Sequence, residues 1–329
     1  MIEKNIDRWK MENTQFQIIW DNTDQHAWDK LLESAGRSNL LQCWAYGETK
    51  ANVEGWKVLR GLIIHEGSAI AMFQALEKRW PIIGGIVRIN RGPLWLHKFI
   101  SSENVSAVYA LIRRQWSWRN RKILFMAPEL LNTPENSLML SLQGYHPRRK
   151  YAWRSAWLDL GMTEDELRKA LKKKWRNMLN SGERANLTLE VSFSDEDFQW
   201  LIEQYKKMML IKRFKGMSID LLFSLRNHMK NKDQMPVMRA MSEGKPIAGV
   251  LIVRHGLACT YLVGWNSPEG RTLKAHNFLL WNAALEMKRK GCMWFDLGGI
   301  SDEETPEIAL FKRGMGGEEY QLVGEWWQI

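Results

Sequence analysis

Two short stretches near the end of the chain decide the predicted fold: Gly291–Ile300, which reads GCMWFDLGGI, and Leu310–Gly317, which reads LFKRGMGG. The apolar run of the first stretch predicts a strand that ends at Asp296. The glycines Gly298 and Gly299 then let the backbone turn sharply or approach another group closely. We therefore expect a strand followed by a tight loop.

The second stretch is predicted to end a short helix. Thr305 and Pro306 mark its start, because threonine caps helices and proline suits the first helical position, and the helix should stop at Gly314. Lys312 would then lie in the last turn. A lysine there is mildly favourable as a simple cation at a helix C-terminus, so its position alone does not separate a structural role from a catalytic one.

The rest of the 329-residue chain reads as two related α+β halves, since this length favours two domains. In the first half we predict strands at 16–20, 56–64, 69–77, 82–90 and 122–127, and helices at 24–34, 44–50 and 103–119. In the second half we predict strands at 187–193, 235–242, 248–255, 257–264 and 294–296, and helices at 195–209, 219–229 and 273–290. Each half contains an antiparallel meander with flanking helices, and the pattern breaks near 148–153. The predicted domains are therefore 1–150 and 151–329.

One more helix is expected over residues 165–184. Thr163 and Glu166 have the spacing of a capping box, in which each side chain bonds to the backbone of the other residue. Leu167, Leu171 and Trp175 would form its apolar stripe. Its other faces carry basic side chains, among them Arg168, Lys172, Lys173 and Arg176.

Composition and motifs exclude several classes of protein. The three cysteines are widely spaced and form no CxxC pair, which favours a reducing cytoplasm. The N-terminus has no signal-peptide pattern, and the apolar runs are too short to span a membrane. The sequence contains no HExxH, GxSxG or P-loop motif, and the seven histidines are scattered. We therefore predict neither a metal nor a cofactor.

The net charge of +10 calls for an acidic partner. Residues 1–150 hold 21 Lys+Arg and 14 Asp+Glu, whereas residues 151–329 hold 26 and 23, so the first half carries most of the excess. Basic clusters lie at 113–122, where Trp116 and Trp118 are interleaved, at 148–150, and at 168–176. Such clusters could bind phosphates and unpaired bases, or they could be solvated arginines beside core tryptophans. The charge does not separate a nucleic acid from an anionic lipid-linked molecule or an anionic membrane.

The two stretches quoted first resemble the C-terminal pattern of the Fem family of aminoacyl-tRNA-dependent peptidyltransferases, two-domain members of the GNAT acyltransferase superfamily. That pattern is a strand ending in DxGGI, a variable loop, and FKxG[FM]GG, which here reads DLGGI over Asp296–Ile300 and FKRGMGG over Phe311–Gly317. Weaker similarity covers Leu40–Lys50, Tyr205–Gly216 and Tyr261–Gly264. The resemblance implies an α+β fold of two tandem GNAT-like domains, each a mostly antiparallel central sheet flanked by helices. A single helix at 165–184 would match compact members that lack a long helical hairpin.

The resemblance also implies an enzyme that transfers an amino acid from aminoacyl-tRNA to an amine of a peptide or peptidoglycan-precursor-like acceptor. Lys312 would stabilise the oxyanion of the tetrahedral intermediate, and Phe311 would position the tRNA end. The substrate-binding residues would be Lys50, Arg213, Tyr261, Trp44, Asp296, Gly298 and Gly299. Of these, Lys50 and Arg213 would hold a diphosphate, although both are equally compatible with solvated surface charges. Arg168, Lys172, Lys173 and Arg176 would bind tRNA, and no general base is visible.

Two other functions remain open from the sequence. An acyl-CoA-dependent N-acyltransferase would need a glycine-rich turn that holds the CoA pyrophosphate, and the nearest candidate, Gly270–His276, lacks the central glycine. A non-catalytic nucleic-acid or partner-binding module would use the basic, tryptophan-rich surface alone.

Overall fold

The computed structural model describes residues 16–96, 101–148, 152–214 and 216–329, without the side chain of Trp118. Two of the basic residues expected to bind phosphates, Arg149 and Lys150, lie outside the described residues. The chain divides into two compact units, Met1–Trp153 with Gln321–Ile329, and Arg154–Tyr320. Within the described ranges, no helix is both long and apolar enough to cross a membrane.

The first half of the chain forms seven described strands and four described α-helices. The strands are β1 (Gln17–Trp20), β2 (Lys57–His65), β3 (Ser68–Trp80), β4 (Gly84–Asn90), β5 (Leu94–Trp95), β6 (Lys122–Ala127) and β7 (His146–Arg148). The helices are α1 (Gln25–Ser34), α2 (Trp44–Glu54), α3 (Ser102–Gln115) and α4 (Pro134–Leu142), with short 3₁₀ helices at Leu40–Gln42 and Trp118–Asn120.

The second half contributes eight more strands and seven more α-helices to the described part. The strands are β8 (Arg154–Asp159), β9 (Thr188–Ser192), β10 (Val237–Ser242), β11 (Lys245–His255), β12 (Ala258–Asn266), β13 (Trp294–Asp296), β14 (Glu318–Gln321) and β15 (Glu325–Gln328). The helices are α5 (Glu164–Ala170), α6 (Lys173–Glu183), α7 (Asp195–Lys212), α8 (Ile219–His228), α9 (Pro268–Thr272), α10 (Ala275–Arg289) and α11 (Pro306–Arg313), with a 3₁₀ helix at Lys232–Gln234.

Each unit is built on one mixed sheet. The first sheet has the order β1-β2-β3-β4-β6-β15-β7, with β5 paired to β3, and the second has the order β14-β8-β13-β12-β11-β10-β9. Most described neighbours are antiparallel, while β4 with β6 and β12 with β13 run parallel. The predicted α+β architecture of two mostly antiparallel sheets with helices is therefore confirmed.

The end of the chain differs from the predicted domain limits. The predicted second domain includes residues 321–329, but β15 pairs with β6 and β7 in the first sheet. Trp326 is 4% exposed and belongs to the apolar core of the first unit. The pairing partners of such a short strand lie about 180 to 200 residues away in sequence, so local patterns carry no signal for it.

The single helix predicted over residues 165–184 is wrong. The structure has two helices, α5 and α6, with a break at Leu171 and Lys172. Leu167, Leu171 and Trp175 are all buried as expected, but the backbone N–H of Lys172 donates to the carbonyl of Gly314 at 2.9 Å. This long-range bond turns the chain out of helical geometry while the apolar stripe continues. The capping box of Thr163 at the start of α5 is confirmed.

Candidate active site

Asp296 is the last residue of β13 and the buried centre of the site. Its strand lies between β8 and β12 in the second sheet, and the side chain is fully buried. The carboxylate accepts hydrogen bonds from the hydroxyl of Ser155, from the N–H of Gly298 at 2.8 Å, and from the hydroxyl of Tyr320 at 3.0 Å. A buried carboxylate is stable only when its oxygens are satisfied in this way. Asp296 thus fixes the loop that follows the strand.

Lys312, the penultimate residue of α11, is only 7% exposed. Its ammonium donates a hydrogen bond of 2.8 Å to the carbonyl of Gly299 and lies 5.5 Å from the centre of the Tyr261 ring. Burial lowers the pKa of Lys312 to about 8, and the negative charge of Asp296 opposes that shift. The group is therefore mostly charged at neutral pH, in surroundings where a charge interacts strongly.

Gly298 allows the close approach that this arrangement needs. Its φ is +72°, a conformation that favours glycine, and a Cβ at this position would lie 2.8 Å from the carbonyl oxygen of Tyr261. The same Cβ would lie 3.5 Å from Nζ of Lys312. Because a backbone carbonyl cannot move aside easily, we conclude that the glycine is required by its φ and by the close approach of the loop to the Tyr261 carbonyl.

Salt bridges fasten α11 to the loop before it and to β14 after it. Arg313 pairs with both Asp302 and Glu319, and Arg154 also pairs with Asp302. The helix begins at Pro306 as predicted, although the side chain of Thr305 makes no capping hydrogen bond. The loop and the helix that carry the site are thus held by charged contacts at the surface.

An open cavity of about 480 Å³ lies in the second unit, and the predicted residues Phe311 and Tyr261 form part of its wall. Phe311 packs against Trp175, with ring centres 5.8 Å apart, and against His276, at 5.3 Å. His276 and Met178 also line the cavity. The cavity therefore has an aromatic and apolar wall next to the residue that precedes Lys312 in the chain.

His276 is a candidate residue that the sequence analysis missed. Its Nε2 lies 2.9 Å from the hydroxyl of Tyr261. Burial, followed by the charge of Lys312, lowers the pKa of His276 to about 4, while burial raises the pKa of the Tyr261 hydroxyl well above its ordinary value. Both side chains are therefore neutral at pH 7. No motif surrounds His276, so only the fold brings it to the cavity.

A second cavity, of about 520 Å³, adjoins the first, since Met178 and Lys274 line both. Its remaining walls come from one face of α6: Lys173, Lys174, Asn177 and Ser181. Three lysines and two polar side chains on an open concave surface form a suitable place for an anion. One of these lysines, Lys173, is among the predicted tRNA-binding residues.

The other predicted tRNA-binding residues differ in their contacts. Arg168 pairs with Glu183 and donates to the amide oxygen of Asn180 at 2.7 Å, so its guanidinium already fastens α5 to α6. Lys172 is exposed at the start of α6, and Arg176 is partly exposed. The lysines at this end of α6 are thus more accessible to a ligand than Arg168.

Lys50 and Trp44 lie on α2 in the first unit. Lys50 forms an ion pair with Glu54, one helical turn further on, and is 14% exposed. The ring of Trp44 lies 3.4 Å from the guanidinium carbon of Arg60, which in turn pairs with Glu48. In this structure both predicted substrate-binding side chains are therefore engaged by neighbours in their own unit.

Arg213, the other residue predicted to hold a diphosphate, ends α7 in the second unit. It is exposed and has a φ of +52°, which stops the helix. Among the predicted site residues, the second unit thus brings Lys312, Asp296, Gly298 and Gly299 together, with Phe311 and Tyr261 beside them. In the described ranges, no three His, Cys, Asp or Glu side chains are placed to hold a metal ion together.

Residues 166–321 match the acetyltransferase (GNAT) domain family. This region covers most of the second unit, including β13, the following loop and α11. The sequence of the second unit is therefore similar to that of a GNAT domain. No curated protein sequence matches the chain.

The whole chain has a Fem-like GNAT fold. It is similar to the crystal structure of FemX, with a TM-score of 0.80 and 16% identity over 94% of this chain and 97% of that chain. A tandem GNAT protein from the clavulanic acid biosynthesis pathway matches with a TM-score of 0.52 and 11% identity, over 95% of this chain and 98% of that one. The C-terminal domain of a protein described as a lysylphosphatidylglycerol synthetase from Agrobacterium fabrum matches with a TM-score of 0.51 and 13% identity, over 93% of each chain. The resemblance inferred from the sequence is confirmed at the level of the fold.

Proposed function

We propose that this protein is an aminoacyltransferase that moves an amino acid from aminoacyl-tRNA to an amine of a peptide or peptidoglycan-precursor-like acceptor. The observation that carries the proposal is the buried ammonium of Lys312. It lies 5.5 Å from the ring of Tyr261, which lines the aromatic cavity. The names of FemX and of the lysylphosphatidylglycerol synthetase, two proteins of similar fold, support aminoacyl transfer as the reaction class.

Lys312 is suited to stabilise an oxyanion. When the acceptor amine attacks the ester carbonyl of aminoacyl-tRNA, a carbon–nitrogen bond forms and the carbonyl oxygen becomes negative. Among the described residues, the ammonium of Lys312 donates one hydrogen bond, to Gly299, which leaves two N–H groups for that oxygen. A fixed, buried donor of this kind typically contributes a factor of about 10² to 10³ in rate.

The remaining proton transfers need no strong base on the protein. As the tetrahedral intermediate collapses, the bond to the ribose oxygen breaks, and that oxygen takes the proton released by the amine. His276, with a pKa of about 4, is too weak to serve as an efficient general base near pH 7. We assign it instead to orientation of the Tyr261 hydroxyl at 2.9 Å. Tyr261 would contact the aminoacyl group in the cavity.

The donor tRNA would occupy the two adjoining cavities. Phe311 offers an aromatic face to a terminal base, and base–aromatic stacking is worth about 1–3 kcal/mol. The lysines of the second cavity, Lys173, Lys174 and Lys274, offer positive charge to the phosphates that precede that base. Lys172 and Arg176, at the same end of α6, would extend this surface. Use of charged tRNA would place the protein in the cytoplasm.

The acceptor would carry a phosphate or diphosphate. The candidate phosphate-binding residues are Lys50, in the first unit, and Arg213, in the second. Lys50 would exchange Glu54 for the phosphate, whereas Arg213 is exposed. Asp296, Gly298 and Gly299 would hold the site in shape rather than contact the acceptor.

The reaction can be tested with purified protein, a mixture of charged tRNAs carrying labelled amino acids, and amine acceptors that include soluble peptidoglycan precursors. We expect an amide product that disappears when RNase is added before the reaction. Lys312→Met should lower the rate at least about 100-fold, while Lys245→Met, at an exposed lysine on β11, should not change it. Product that still forms after RNase treatment would contradict the proposal.

An acyl-CoA-dependent N-acyltransferase is the second candidate, because residues 166–321 match a GNAT acetyltransferase domain. One observation disfavours it. CoA binding would need a glycine-rich turn before α10, but the left-handed position in that turn, with a φ of +57°, is occupied by Lys274 instead of glycine. Calorimetry with acetyl-CoA separates the two candidates, and tight binding would favour the second. A purely nucleic-acid-binding module, the third function left open by the sequence, would bind tRNA equally well with and without Lys312 and form no product.

A further inference from the structure

The hairpin between β3 and β4 in the first unit ends in an exposed apolar tip, Trp80-Pro81-Ile82-Ile83. Trp80 is 45% exposed, Ile82 is 90% exposed and Ile83 is 82% exposed. Single exposed apolar residues are common on protein surfaces, but four in succession at the end of a hairpin form a patch that needs an explanation. Neither the proposed reaction nor the core of the unit uses these side chains.

The tip is held in a defined shape. Ile82 has a φ of +69°, which a β-branched residue rarely adopts. Arg121 supports this conformation, since its guanidinium donates to the carbonyl of Ile82 at 2.9 Å. The carbonyl of Arg121 accepts from the N–H of Gly85 at 2.8 Å, so the start of β6 clamps the base of the hairpin. The apolar side chains are therefore presented outward by a rigid support.

Basic residues surround the tip. Strand pairing aligns Trp80 with Gly84 and Gly85 with Lys122, so the hairpin and the start of β6 meet at one end of the sheet. Lysines and arginines in these elements, and in the adjoining ends of β2 and the 3₁₀ helix, are Lys57, Lys78, Arg79, Arg119, Arg121 and Lys122. Glu77, a carboxylate among them, is buried and pairs with both Arg79 and Lys122, while Glu54, which pairs with Lys50, lies within range of the charge of Lys78. The exposed charge at this end is thus positive.

We propose that this tip, with the cations around it, docks the protein on an anionic lipid bilayer. Aliphatic side chains insert below the headgroups, tryptophan prefers the interface, and lysines and arginines are attracted to anionic lipids. The net charge of the sequence allows contact with an anionic membrane but does not locate it. The proposal assigns this contact to the hairpin tip. The proposal does not depend on the reaction proposed above.

Other occupants fit the tip less well. RNA would use aromatic or guanidinium faces for stacking, whereas the most exposed residues, Ile82 and Ile83, offer none. A second copy of the chain would need to bury about 800 Å² per partner, which a four-residue tip does not supply. An anionic bilayer, in contrast, can take up a small apolar tip and also attract the cations around it.

A second exposed apolar pair provides a matched control. Leu138 and Leu142 on α4 are 61% and 76% exposed. Residues 128–143 around them contain Glu129 and Glu135 but no lysine or arginine. If exposed apolar surface alone drove membrane binding, this pair would act like the tip. If membrane binding requires apolar side chains together with nearby cations, the Leu138–Leu142 pair would not contribute to it.

The test is co-flotation of the full chain with vesicles of phosphatidylcholine alone, or of phosphatidylcholine with 30% phosphatidylglycerol. We expect binding to the anionic vesicles to be at least tenfold stronger and to weaken with added salt. The double variant Ile82→Ser, Ile83→Ser should bind them at least tenfold less tightly, while Leu138→Ser, Leu142→Ser should bind like the unchanged protein. Equal thermal midpoints would show that both variants fold.

Insertion can be measured directly. The three native cysteines are buried, so an Ile83→Cys variant can be labelled with an environment-sensitive dye at that position alone. A blue shift on anionic vesicles is expected for Ile83→Cys and not for Leu138→Cys. Leu210 and Ile211 on α7 are another exposed apolar pair. The proposal is overturned if the tip variant binds vesicles normally or if only a Leu210→Ser, Ile211→Ser variant loses binding. It is also overturned if the tip variant loses tRNA binding or self-association instead.

Discussion

At the scale of single residues, burial of the Lys312 ammonium has a cost in stability, and our proposal gives this group a role in the reaction. Its pKa is lowered to about 8 chiefly by burial, from an ordinary value of 10.5. Between these two values the unfolded chain binds more protons than the folded protein, so the free energy of unfolding rises with pH across this window. Below pH 8 the buried ammonium therefore reduces the stability of the second unit, as is common for groups kept for function.

Replacing Lys312 with methionine should raise the stability of the protein and lower its activity. We expect Lys312→Met to raise the free energy of unfolding at pH 7 by about 1–3 kcal/mol, because one pKa unit corresponds to about 1.4 kcal/mol and the lost bond to Gly299 offsets part of the gain. The difference should shrink at pH 10. Urea unfolding at both pH values measures it. A variant that loses both stability and activity would instead indicate a structural role for the lysine.

Asp296 should control the protonation of Lys312. Its negative charge holds the pKa of the ammonium up, so Asp296→Asn should move the alkaline limb of the pH–rate profile to lower pH. The measurement is kcat/KM between about pH 6 and pH 10. Asp302→Asn is a suitable control, because Asp302 pairs with Arg154 and Arg313 and does not affect Lys312. If the alkaline limb of the pH–rate profile is unchanged in Asp296→Asn, the carboxylate does not control the pKa of Lys312.

At the scale of elements, local patterns located most strands and helices but missed features set by distant contacts. The strands Lys122–Ala127 and Trp294–Asp296 were predicted with their observed bounds, since alternation and apolar runs are local signals. The break between α5 and α6 depends on the bond from Lys172 to Gly314, which no local pattern contains. For the same reason the DLGGI and FKRGMGG segments indicated part of the site, while the partner of Tyr261, His276, required the folded structure.

The two helices α5 and α6 should respond differently to loss of charge. Arg168 bridges them through Glu183 and Asn180, so Arg168→Gln should lower the thermal midpoint by a few degrees and leave the affinity for tRNA nearly unchanged. The double variant Lys173→Gln, Lys174→Gln should keep the midpoint but weaken tRNA binding and reduce its salt dependence. Filter binding at several salt concentrations measures the second effect. The reverse pattern would make Arg168 the tRNA contact.

At the scale of the whole molecule, the two units carry different surfaces. The first 150 residues hold most of the positive excess and include the apolar hairpin tip, whereas the buried lysine and the two adjoining cavities belong to the second unit. Our two proposals assign an acidic partner to each unit, a membrane surface to the first and tRNA to the second, and the net charge of +10 suits both. Several of the 18 tryptophans are core residues, such as Trp28, Trp116 and Trp175.

The last residues of the chain should be essential to the first unit, although they follow the second in sequence. Strand β15 lies between β6 and β7, Trp326 is 4% exposed, and Glu325 pairs with Arg88 and Arg148. Loss of a buried tryptophan alone costs about 3–5 kcal/mol, and the strand's backbone bonds would be lost as well. Deleting residues 321–329 should therefore lower the midpoint of thermal unfolding of the first unit by about 10 °C or more, or prevent this unit from folding. Deleting only the exposed Ile329 should change it little, and an equal midpoint for both proteins would show that β15 is dispensable.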